Sequence, residues 1–214
     1  MDGYITLKNR AETEFTEKRS VFIGNAAPVK TEAEALSFLS EIKKRYSDAR
    51  HHVYAYVLRE NNTARFSDDG EPKGTGGMPT LETLKKNNVT DAIVVVTRYF
   101  GGILLGASGL TRAYTTGAAM AVAAAGIAEY RMIVTYRLTA AFRDGDRMRY
   151  LLNTAGCRID RVDYGTEVTV TFSVLPEDEE DILKKLRDAS AGRARVTRLS
   201  SEPGIWEGEG TPEA

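Results

Sequence analysis

The chain of 214 residues is 42% hydrophobic, enough for one large core or two small ones, and two domains are expected. Its 29 basic and 30 acidic residues leave a formal charge of −1, which excludes a global field toward nucleic acid or anionic membrane and leaves any such affinity to a local patch. The single cysteine, Cys157, excludes an internal disulfide and cysteine-clustered zinc and suits a reducing compartment. The start, MDGYITLKNRAETEF, has no signal core or presequence, and the longest small or apolar run, GAAMAVAAAG, cannot span a bilayer; a soluble cytoplasmic protein without a membrane partner is expected.

In chain order, VFIGNAAPV reads as one strand of a hairpin. TEAEALSFLSEIKKRY reads as a helix with Thr31 as N-cap and Glu34 three residues on, a capping box, and with Leu36, Leu39 and Ile42 as its buried stripe. HHVYAYVLRE alternates as a strand, with Val53, Ala55 and Val57 on one face and Tyr54, Tyr56 and Leu58 on the other. MPTLETLKKNN is a second helix, DAIVVVTRYF a strand apolar enough to be covered on both faces, and SGLTRAYTTGAAMAVAAAG a third helix starting near Ser108. The pattern changes near Glu129 and Tyr130. Beyond lie strand MIVTYRLTAAF, helix DRMRYLLNTAG, strands CRIDRVDYG and TEVTVTFSVL, helix EDEEDILKKLRDAS and strand RARVTRLSS, a ferredoxin-like βαββαβ run. Gly165 suits the hairpin turn, and the acids after Pro176 suit a helix start. The fold class is α+β, with domains over 1–130 and 131–201 and a Gly-, Pro- and Glu-rich tail, 202–214, expected to be mobile.

Two stretches could carry chemistry. RYFGGILLGASGLTRAY, from Arg98 to Tyr114, matches neither the dinucleotide nor the Walker A glycine pattern. It places Arg98 at a strand end, Gly101, Gly102, Gly106 and Gly109 in and after a loop, and Arg112 in the first turns of a helix. Backbone N–H groups beside two guanidinium groups form an anion site in principle, and Tyr99, Phe100 and Tyr114 offer stacking faces. On residue types alone the same residues suit packing better than binding, because glycine permits positive φ and rings fill cores. RFSDDGEPKGTGG clusters Asp68, Asp69 and Glu71, which could hold a divalent ion facing a phosphate, but its residues also suit a tight solvated turn. His51 and His52 point to opposite faces of a strand and cannot chelate one metal together. Ser108 lacks the nucleophile-elbow pattern, and no catalytic dyad is evident.

SVFIG, ARHHVYAY, SDDGEPKGTGG and VVVTRYFGGILLGASGLTRAY, in this order, resemble the IMPACT family in its two-domain YigZ-like prokaryotic branch. In family terms His51 falls on the histidine of one motif, Asp68, Asp69, Gly70, Glu71 and Pro72 on the D-D-G-E-P signature, and Arg98 to Tyr114 on the glycine-rich signature. Arg50 stands where Thr is usual, Val53 where Cys is common, and Ala107-Ser108 replace a pair usually ending in Gly. The resemblance implies a first domain similar to domain 2 of ribosomal protein S5 and a second similar to domain V of the translocation factor EF-G. Eukaryotic relatives sharing the first domain are translational regulators. The resemblance therefore implies a translation-associated regulator that binds RNA or the ribosome through the glycine-rich face, without DNA sequence specificity. An enzyme acting on a small phosphorylated ligand and a protein-interaction module are the alternatives. No catalytic residue, resident metal or cofactor is expected.

Overall fold

The computed structural model describes residues 3–206, which fall into two compact units, 4–128 and Gly3 with 129–206. In the first unit an antiparallel sheet is ordered β2 (Ala11–Glu17), β3 (Ser20–Pro28), β6 (Ala92–Tyr99), β4 (His51–Leu58), β5 (Thr63–Ser67). The short strand β1 (Tyr4–Leu7) precedes it. Helix α1 (Glu32–Arg45) covers one face; α2 (Gly77–Lys86) and α3 (Gly106–Ala125) cover the other. The central strand β6 is apolar from Ala92 to Val96 because both its faces are covered there: Ile93 and Val95 join the α1 core, and Ala92, Val94 and Val96 join the α2/α3 core. The alternation of β4 is as expected, with Val53 and Val57 toward α3 and Tyr54, Tyr56 and Leu58 toward α1.

Helix α1 starts as its sequence dictates, with Thr31 accepting the Glu34 N–H at 3.2 Å. The return contact is shifted by one residue, since Glu34 accepts from the Lys30 N–H at 2.6 Å. The buried stripe differs from expectation. It runs Ala35, Phe38, Leu39, Ile42, while Leu36 is 47% exposed. Positions i, i+3, i+4 and i+7 share one helical face, and Leu36 turns about 100° away from Ala35. Helix α3 lies close to the sheet where two glycines meet: a Cβ on Gly24 would sit 2.5 Å from the Gly117 carbonyl oxygen.

The second unit runs β7 (Ile127–Ala141, entering from the first unit), α4 (Phe142–Thr154), β8 (Arg158–Tyr164), β9 (Glu167–Val174), α5 (Glu179–Ser190) and β10 (Arg195–Trp206). Its strands are ordered β10-β7-β9-β8 and pair antiparallel throughout. This is the expected βαββαβ arrangement. Val134, Leu138, Val170, Phe172, Met148, Leu152 and Leu186 fill the core between this sheet and the two helices. Part of the expected mobile tail is ordered: β10 continues through Glu202–Trp206, with Ile205 opposite Tyr130 and Trp206 opposite Glu129. Pro203 lies within this strand opposite Met132, and its missing N–H is tolerated because β10 pairs only on the β7 side. The remainder, 207–214, lies outside the described residues.

The revised α1 stripe has a measurable consequence. Phe38→Ala should cost about 3 kcal/mol or more in urea unfolding, as a buried ring truncated to methyl does. Leu36→Gln should change stability by less than about 0.5 kcal/mol, as an exposed substitution does.

Candidate functional site

The chemistry gathers where β3, β4 and β6 end on the α3 side. Phe22, Arg98 and His51 pair across these three strands and form one row. Alternation along β6 aims Arg98 to the same face as Val96 and Val94, so a guanidinium stands at the edge of an apolar core at only 5% exposure. Such a charge must be matched. Its Nη1 donates to Glu71 Oε1 at 2.8 Å and its Nη2 to Ser20 Oγ at 3.3 Å. The Tyr114 hydroxyl donates to the same Glu71 oxygen at 2.7 Å. Burial, and then the Glu71 charge, push the Tyr114 hydroxyl far above its ordinary range and keep it a donor. The guanidinium carbon also lies 5.5 Å from the Phe22 ring and 5.4 Å from Phe100, within cation–π reach of both. Arg98 Nε is buried without a hydrogen-bond partner.

The D-D-G-E-P segment makes this arrangement possible and is not the solvated turn expected from its composition. The Glu71 N–H closes on the Asp68 carbonyl at 2.9 Å, and Asp69 (φ 42°) and Gly70 (φ 88°) between them adopt the left-handed conformation such a turn requires. The three carboxylates then diverge. Asp68 accepts N–H groups from Gly74, Gly76 and Gly77 at 2.8–3.0 Å, capping a helix whose own N-cap, Gly76, has no side chain to do so. Asp69 accepts the His52 N–H at 2.7 Å and Lys43 of α1 at 3.0 Å. Glu71 turns inward to Arg98 and Tyr114. Because each acid is committed to different partners, they do not converge on one ligand position. Among the described residues no three His, Cys, Asp or Glu side chains are grouped to hold a metal.

Burial raises the Asp68 carboxyl, but the N–H groups of Gly74, Gly77 and Gly76 outweigh it and bring it below its ordinary value. For Asp69 burial likewise raises, and the His52 N–H and Lys43 overcome it. Both histidines lean on this turn. His51 Nδ1 lies 2.9 Å from the Asp69 carbonyl, which only accepts, so Nδ1 carries a proton in this contact. His52 is buried on the α1 side with Nε2 3.1 Å from the Tyr46 carbonyl, and burial lowers its pKa.

Above the turn a cleft of about 340 Å³ opens between Arg50, His51, Glu71 and Pro72 on one side and Phe100, Leu104 and the start of α3 on the other, with Arg98 lining it. Leu105, Gly106, Ala107 and Leu110 complete the wall. The N-cap of α3 is Leu105, which makes no side-chain capping bond, so the first N–H groups of a 20-residue helix lack that satisfaction and favour an anion. Gly106 has φ 72°, and nothing lies within 4 Å of where its Cβ would be.

The expected site residues therefore separate. Arg98, Glu71, Pro72, His51, Phe100 and Gly106 line the cleft. Tyr114 is fully buried behind it. Tyr99 donates its hydroxyl to Asp48 at 2.6 Å, a bond that helps push its pKa up to about 12, and does not line the cleft. Gly101 serves packing, since a Cβ there would sit 1.9 Å from the Arg19 carbonyl of the β2–β3 turn. Gly102 has φ 82° and sustains the loop, and Gly109 is buried against Leu105 in α3. Asp68, Asp69 and Gly70 build the turn. Arg112 is exposed on α3 outside the cleft lining. Sequence reasoning did not single out Ser20, whose Oγ accepts from both Arg98 and the Gly101 N–H, nor Phe22. Their signal was the motif SVFIG, which contains both.

Glu71→Ala should cost about 3–5 kcal/mol in urea unfolding, because it strands the Arg98 charge in the core. Asp68 and Asp69 have lowered folded pKa values, so their stabilisation is present above the unfolded value of about 3.9 and is lost as pH falls through the lower folded values. His52 is also lowered and begins to destabilise below the unfolded value of about 6.5. The melting temperature should fall gently below about pH 6.5 and steeply below about pH 4, and Asp68→Asn should flatten the steep part.

Residues 18–122 match the Impact N-terminal domain, and residues 138–193 match a domain of unknown function, DUF1949. IMPACT family member YvyE of Bacillus subtilis is 36% identical over 181 residues, covering 84% of this chain and 82% of its own length. IMPACT family member YigZ of Escherichia coli is 32% identical over 185 residues, covering 85% and 91%. A crystal structure of a hypothetical protein is similar at 28% identity and a TM-score of 0.59, covering 94% of this chain and 98% of its own. With both domains matched in order and both relatives aligned over most of their length, the chain belongs to the IMPACT family as a YigZ-like member.

Proposed function

We propose that this protein is a cytoplasmic translation-associated regulator that binds single-stranded RNA, free or on the ribosome, through the cleft at the start of α3. The single observation that carries the reading is the combination in one recess of an α3 N-terminus without a side-chain cap, the Arg98 guanidinium and a half-exposed ring, Phe100. Backbone N–H groups and a guanidinium suit phosphate, and an exposed ring suits a base. Arg50, exposed at the cleft wall, adds positive charge that Glu71 does not neutralise. Arg112 stands four residues beyond Ser108 on the exposed stripe of α3 and extends this surface along the helix. Membership of a family associated with translational regulation supports the reading, as do the implied likenesses to domain 2 of ribosomal protein S5 and domain V of EF-G. No helix of the described residues is long and apolar enough to cross a membrane.

The test is salt-dependent binding of a short labelled RNA. Arg50→Ala and Arg112→Ala should each weaken binding and lower the slope of log affinity against log salt by about 0.7, one phosphate contact on a single strand. Neither should shift the melting temperature, since both side chains are exposed. Parent binding that is absent, or slopes unchanged in both variants, would refute the reading.

A further inference from the structure

Resting on that reading, we infer that the cleft takes a terminal phosphate monoester carried by a nucleoside, so that the protein recognises phosphorylated RNA ends rather than mid-chain phosphodiesters. The first support is the state of Arg98. A guanidinium has five N–H donors, and here Glu71 and Ser20 each accept one, the latter at a long 3.3 Å. Nε is buried with no acceptor in the protein. A buried donor left unmatched is destabilising and calls for an explanation such as a missing ligand. The second support is the α3 N-terminus, which lies on the same cleft without a side-chain cap. The two donor sets differ in origin, one a strand side chain and the other a helix backbone, and both border one recess.

The shape of the site selects the end of a chain. Arg98 is 5% exposed and belongs to the row of residues at the sheet end. Phe100 and Leu104, 50% and 81% exposed, line the same recess, so a group that bonds to Arg98 lies beside them. A phosphodiester carries ribose on two of its oxygens, and both must leave the recess. A monoester carries one and leaves three oxygens to face the donors. The walls of Phe100, Leu104, Leu105 and Leu110 are apolar and suit the attached base. Open space at the Gly106 Cβ position leaves the helix end approachable.

The terminal phosphate could come from RNA or from a free mononucleotide, and binding assays on the full chain separate these. Short RNAs of one sequence ending in 5′-phosphate, 3′-phosphate or hydroxyl groups only are compared by fluorescence anisotropy, with adenosine 5′-monophosphate as competitor. At least one phosphate-ended RNA should bind about tenfold or more tighter than the hydroxyl-ended one. Ala107→Asp is the decisive variant. Ala107 is exposed and lines the cleft, and an acid in the first turn of a helix is compatible with its dipole, so the melting temperature should hold while a carboxylate occupies the anion position. The preference for phosphate-ended RNA should fall below about twofold in this variant. Equal affinity for all three RNAs would overturn end recognition while leaving RNA binding standing. Saturable binding of the mononucleotide, lost in Ala107→Asp, with no RNA binding would support the terminal-phosphate site and refute the RNA reading. Binding of neither would overturn both.

Discussion

Arg98 and Glu71 form the contact on which the rest of the first unit depends. A charge standing at the edge of the α2/α3 core is tolerable only with its partner in place, and that partner is delivered from a turn 27 residues earlier in the chain. The turn can deliver it only because Asp69 and Gly70 accept left-handed backbone and because Asp68 and Asp69 fasten it to α2, α1 and the start of β4. Ser20 and Tyr114 then tie β3 and α3 to the same two side chains. Sheet and helices on both faces thus meet at one polar network within an apolar body.

Much of the fold was readable where hydrophobic period and end signals agreed. The alternation of HHVYAYVL and the unbroken apolar run of β6 each admit one burial pattern, and the structure has it. Thr31 capped α1 as read. Leu36 failed because its helix has two adjacent apolar positions, Ala35 and Leu36, and only the three-dimensional sheet chooses between them. Edge strands were harder. TARFS is exposed or half-exposed throughout, so no apolar period marks it. In EPGIW, glycine and proline composition concealed a strand stabilised by its pairing with β7. Long-range backbone pairing leaves no local trace in a sequence.

The site was legible in its parts and not in its assembly. Residue types identified Arg98 and Glu71 as candidates, but as members of different groups, a phosphate clamp and a metal cluster. Their pairing could not be inferred, because carboxylates three residues apart in a turn point wherever the local φ values send them, and two of those values are positive. The resemblance to a family linked the motifs in order without saying which residues touch. Likewise the three rings of the glycine-rich stretch look equivalent in sequence, whereas one packs in the core, one hydrogen-bonds Asp48 and one faces the cleft.

The capping of α2 by Asp68, eight and nine residues before the groups it binds, has a dynamic corollary. Binding loops are commonly drawn from the least stable parts of a protein, opening at little free-energy cost. Here the turn cannot lift without uncapping α2, releasing Lys43 and baring Arg98 at once. Those losses fall together, so the wall of the cleft opens as a single cooperative unit and spends little time partly open. A ligand would meet a receptor whose cationic side is already set, and selectivity would come from refusing what does not fit rather than from closing around what does.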